Sequence, residues 1–170
     1  MIFMSQSGIT DPARAADWDR WYVEHLKIML SVNGVNSTQR FKLVKGDQSP
    51  SLAMYSMVSA AVFDDPYYLS VRGMGEWTAL IDRSFYRRNL FDGLERAPAV
   101  RDDQRLLVAD RATPQGQIAG IAFDWLEAVA IDKSTPYRGI AVVAREIAER
   151  LPSAGAEFSV YQPATPCVTK

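Results

Sequence analysis

Apolar positions between residues 17 and 32 recur at helical spacing. Trp18, Tyr22, His25 and Met29 share one arc of the helical wheel, and Trp21, Leu26, Ile28 and Val32 widen it, while Asp19, Arg20, Lys27 and Ser31 lie opposite. The pattern predicts an amphipathic helix that stops at Asn33-Gly34, residues suited to a left-handed C-terminal turn. Before it, residues 1–7 read as a strand. After it, residues 35–45 alternate, with Gln39, Phe41 and Leu43 on one face and Thr38, Arg40, Lys42 and Val44 on the other. Residues 51–61 are small and apolar almost throughout, which predicts a strand covered on both faces. Asp65-Pro66 then caps a predicted helix over 67–83 that Gly73 and Gly75 break or kink, and 85–94 reads as a fourth strand.

Beyond the polar stretch 95–103 the pattern begins again. Strands are expected at 104–109 and 125–131, a helix at 137–151 on the spacing of Ile140, Val143, Ala144, Ile147 and Leu151, a stop at 152–155, and a strand at 157–162. The order predicts an α+β fold: a ferredoxin-like βαββαβ unit over residues 1–95, and over 96–170 a partial second βαβ-type copy packed on it in a single compact chain.

With 170 residues, 48% of them hydrophobic, the chain can bury a core without disulfide staples. Its net charge is −1 and no basic block interleaves with aromatics, which argues against a nucleic-acid partner. The start has no basic region followed by an apolar run, and no segment approaches the length of a membrane span, so a cytoplasmic protein without a membrane partner is expected. Cys167 is the single cysteine and His25 the single histidine, leaving no cluster of ligand spacing, and neither a metal nor a cofactor is expected.

That lone histidine lies on the apolar face of the first helix, beside Trp18, Trp21 and Tyr22. Indole and phenol rings with polar tips suit the wall of a ligand cavity, where an imidazole can move a proton. A packing role, with both ring nitrogens satisfied, competes with this reading. If His25 is the catalytic acid or base, Tyr22 and Glu24 are its assistants. Trp18, Trp21, Arg40 and Tyr55 are the candidates for substrate binding, Arg40 because a buried guanidinium needs an anion to answer it. Of the adjacent pair Arg87 and Arg88, one can hold an anion while the other is solvated.

The run Trp21-Tyr22-Val23-Glu24-His25 on a first helix, followed by Gly34-Val35 and a strand, resembles the EthD-like proteins of the dimeric α+β barrel superfamily over roughly residues 1–95. One feature departs from the family: Leu26-Lys27-Ile28 continues the helix where members carry a proline. The resemblance implies a dimeric or pseudo-dimeric α+β barrel, a homodimer, and a small-molecule site between sheet and helices. The expectation is a cofactor-independent enzyme of lyase, isomerase or decarboxylase type, acting on a small aromatic or polyketide-like molecule. Two alternatives stay open, a non-catalytic stress-response or small-ligand-binding protein and a haem- or oxygen-dependent monooxygenase.

Overall fold

The computed structural model describes residues 1–151 and 157–170. In chain order its elements are β1 (Ile2–Ser7), α1 (Ala15–Ser31), β2 (Val35–Lys45), β3 (Ser51–Met57), α2 (Pro66–Val71), β4 (Arg87–Asp92) and β5 (Gln104–Arg111). A small hairpin of β6 (Gln117–Ile118) and β7 (Ile121–Ala122) follows, then β8 (Asp124–Ile131), β9 (Tyr137–Ala144), α3 (Arg145–Arg150), β10 (Ser159–Pro163) and β11 (Val168–Thr169).

Eight of these strands close into one antiparallel barrel. The first half runs β4-β1-β3-β2 and the second β10-β5-β9-β8, so both halves set their four strands in the same order. They join where β4 pairs with β8 and β2 with β10. β2 is long enough to take β11 as well, through Thr38 and Ser37.

The closed barrel corrects the expected α+β, ferredoxin-like architecture and the dimeric or pseudo-dimeric α+β barrel built from it. The molecule is mostly β, the barrel is completed within one chain, and among the described residues only α1, with 17 residues, is a long helix. Two local misreadings account for much of the difference. The helix expected over 67–83 ends at Val71, because Gly73 takes a φ of +98°, and only a 3₁₀ turn at Gly75–Leu80 follows. The helix expected over 137–151 is strand β9 followed by the six residues of α3. Ile140, Val142 and Val143 are β-branched, and β9 pairs with β5 along its full length, a demand that outweighs a helical spacing of apolar residues. The stop expected at 152–155 lies outside the described residues.

Alternation sorts the strand side chains. Ile2, Met4, Phe41, Leu52, Met54 and Phe91 point into the barrel and meet Leu106, Val108, Leu126 and Ile140 from the other half. One end of this interior is polar: Arg138 pairs with Asp110 at 2.7 Å and donates to Gln6 at 2.7 Å. The alternate residues Phe3, Ala53, Tyr55 and Leu90 point outward, where Trp18, Tyr22, Leu26 and Met29 of α1 cover them. The continuous apolar run of β3 is thus buried on both faces, as its composition predicts. Gly34 turns the chain from α1 into β2 at a φ of +85°, and a Cβ there would stand 2.6 Å from Val62. Among the described residues no helix is long and apolar enough to cross a membrane.

Candidate functional site

A cavity of about 150 Å³ lies between the outer face of the first half-barrel and α1. Its strand wall comes from Phe3 and Ser5 of β1, Tyr55 of β3 and Arg88 of β4. Phe3 stands opposite Tyr55 and Ser5 opposite Arg88 in the strand register, which makes this wall one contiguous patch of sheet. The helix wall is Tyr22, His25 and Met29, spaced three and four residues apart so that all three look the same way. Tyr68 of α2 and the segment Arg72 to Met74 close a further side, and Tyr86 lies beside Arg88.

His25 therefore borders a hollow. Its ring stacks on Trp21, with centroids 4.7 Å apart and planes within 11°, and meets the edge of Tyr22 at 5.9 Å. Burial pushes its pKa down to about 4, so the imidazole is neutral near pH 7. Glu24 does not orient it: that carboxylate projects into solvent and pairs with Lys27 at 2.7 Å. Tyr22 is buried, and burial pushes its phenol up against the opposing pull of the Arg40 guanidinium and the Ser7 and Ser5 hydroxyls. Burial, with Tyr22 and Tyr68 nearby, raises Tyr55 well above its ordinary value. Burial also raises Tyr68, although Arg88 and Arg72 pull it down. These phenols are hydrogen-bond donors throughout the physiological range.

The remaining expected residues stand behind the wall. Trp21 backs His25, and Trp18 packs on Tyr22 at 5.6 Å, with both indoles 6.5 Å from Trp77. Phe41, not Arg40, faces the barrel interior, so Arg40 points outward and lies under α1. It is 2% exposed, donates to Ser51 at 2.9 Å and to Asp19 at 2.8 Å, and lies over the rings of Tyr22 and Trp18 at 4.3 and 4.8 Å. Burial pushes the Asp19 carboxyl up, but Lys42 and Arg40 outweigh it and hold the group below its ordinary value. Arg40 is answered from within the protein and acts as a brace for Tyr22 rather than a ligand for substrate.

No protein-family model matches this chain, and no curated protein or solved structure does.

The fold brings together His25, Tyr22 and Tyr55 from the expected set, keeps Trp18 and Trp21 as their support, and turns Glu24 and Arg40 away. Phe3, Ser5, Tyr68, Arg72, Met74 and Tyr86 are lining residues that the sequence did not single out. Arg88 is the member of the Arg87–Arg88 pair that faces the cavity, and Arg87 is exposed. Strand parity carries that signal: Arg88 shares its face with Leu90, which packs under the helices. Among the described residues no group of three or more His, Cys, Asp or Glu side chains is placed to hold a metal ion.

Proposed function

We propose that the protein is a cofactor-independent acid–base enzyme, of lyase, isomerase or decarboxylase type, acting on a single-ring aromatic or cyclic molecule held in the cavity under α1. One observation carries this reading: a neutral imidazole, flat against an indole, forms part of the wall of an aromatic-lined hollow of about 150 Å³. A cavity of that size admits about one benzene ring, which favours small substrates over extended polyketides or a porphyrin. His25 takes a proton from the bound molecule, and the protonated phenols of Tyr22 and Tyr55 donate to the oxygen on which negative charge develops. Trp21 fixes the plane of the imidazole, and Arg40 fixes Tyr22. The resemblance of residues 21–25 to the EthD-like helix supports the same assignment, and the single cysteine is in keeping with a cytoplasmic setting.

Sequestration of the same small molecule without turnover is the second reading. It is favoured by Glu24 turning to solvent, which leaves the imidazole without a carboxylate to stabilise its charged form. Incubation of a panel of single-ring phenols, enones and β-keto acids in D₂O, followed by NMR, separates the two. An enzyme exchanges or converts at least one compound, and His25→Gln lowers that rate by about a hundredfold, within the range of general acid–base catalysis. Compounds that bind without exchange or conversion favour sequestration, and turnover undiminished in a folded His25→Gln protein removes His25 from the chemistry.

A further inference from the structure

We infer that the cavity selects anions, and that Arg88 with Arg72 forms its carboxylate-recognition end. The inference rests on the reading of this cavity as the functional site and adds the class of molecule it takes. Both arginines border the cavity, and no aspartate or glutamate does. The charged and titratable groups facing it are His25 and Tyr22 from α1, Tyr55 from β3, Tyr68 from α2, Tyr86 and Arg88 at β4, and Arg72 after α2. With the phenols protonated and the imidazole neutral, the lining carries two positive charges on a protein whose net charge is −1.

Arg88 is only partly answered by the protein. Its Nη2 reaches the Asp132 carboxylate at 3.6 Å, outside ordinary hydrogen-bond distance, while the backbone N–H of Arg88 takes the other Asp132 oxygen at 2.7 Å. Its Nε is buried and has no hydrogen-bond partner. A buried guanidinium N–H without an acceptor is costly and marks a group that the protein leaves under-bonded, to which an anionic oxygen in the cavity adds a charge-assisted partner. Arg40 provides the contrast within the same half-barrel: its Nε and Nη1 are both satisfied, by Ser51 and Asp19. The Ser5 hydroxyl stands across the strand pair from Arg88, and Tyr68 feels both arginines, so donors surround the place where a carboxylate would sit. One ring with one carboxylate matches the volume and the charge together.

The test is NMR titration of the whole protein with benzoate and with benzamide, its neutral counterpart of the same shape. Benzoate is expected to shift the His25 and Ser5 signals and to bind about tenfold more tightly than benzamide, and Arg88→Gln to abolish that preference. Arg72→Gln, at an exposed and structurally undemanding position, is expected to weaken benzoate several-fold. Arg87→Gln removes the same charge from the neighbouring exposed residue and should leave both affinities unchanged. Equal binding of the two compounds, or an undiminished benzoate preference in both Arg88→Gln and Arg72→Gln, overturns the inference. Benzoate selectivity in a protein that turns over none of the panel leaves the inference standing while the enzymatic reading fails. Turnover confined to neutral compounds does the reverse.

Discussion

The two half-barrels arrange their strands alike but cover their outer faces differently. Over β1, β3 and β4 lies α1, whose side of the contact is built from rings: Trp18, Trp21, Tyr22 and His25 stand between helix and sheet. Over β5, β8 and β9 there is no long helix among the described residues. The β6–β7 hairpin, Phe123, Phe158 and Ala148 pack directly on Leu107, Ala109 and Ala141, and Trp125 lies against Gly139, where a Cβ would stand 3.0 Å from the indole ring. There rings, small residues and aliphatic chains interdigitate; beneath α1 the rings of one helix face leave part of the space unfilled, and that remainder is the cavity. The second half is sealed by shape, and the first is held by shape plus an ion cluster of Asp19, Arg40 and Lys42 that ties α1 to β2. The cavity therefore lies where the cover is least able to collapse.

If that contrast holds, truncation in the sealed half is the most damaging change. Leu107→Ala removes a fully buried side chain from a packed layer and should cost about 3 to 4 kcal/mol in urea denaturation. Met29→Ala beside the existing hollow should cost less than half as much and alter ligand binding instead. Equal costs would erase the distinction between the halves. Next, Asp19→Ala leaves Arg40 buried under α1 without its carboxylate, an expected loss of about 3 kcal/mol in thermal or urea unfolding. This variant should also loosen Tyr22, visible as changed His25 and Tyr22 resonances.

The pH dependence that His25 contributes is smaller and arises in the first half. The folded imidazole has a pKa near 4, against 6.5 for an ordinary one. Between those values the unfolded chain binds a proton that the folded chain refuses. Stability from this source is constant above about pH 6.5, falls as the pH drops toward 4, and levels off below. Because the ring keeps some contact with solvent, the loss is on the order of 2 kcal/mol, below the full value of the shift, and His25→Gln should remove it. Smallest of all is Glu24→Gln, on a solvent-facing side chain paired only with Lys27, which should move stability by less than about 0.5 kcal/mol and leave ligand binding as it is.

Much of the first half was legible in the sequence because its signals are local. The α1 stripe, the turn at Gly34, the alternation of β2 and the doubly buried run of β3 each follow from neighbours in the chain. The second half was less so. In β9, Ile140 and Val143 fit a helical period and a strand equally well, and what decides between them is pairing with β5 and β8, which no local window contains. The side of the sheet that Arg40 takes was not legible, because alternation fixes which residues share a face but not which face is inside. For the site, the helix residues His25 and Tyr22 were readable from spacing. Tyr68, Arg72 and Tyr86 were not, because the turn after Val71 and the approach to β4 bring them to the cavity, while Arg88 was readable only as one of the pair Arg87 and Arg88.

The protein has one histidine, so its imidazole Hε1 resonance can be followed through a pH titration without ambiguity. A His25 that borders a sheltered cavity should titrate with a midpoint near 4 in the free protein, and the midpoint should rise when benzoate occupies the cavity and its charge favours the imidazolium. A midpoint near 6.5 that benzoate does not move would place the ring in open solvent and contradict the account.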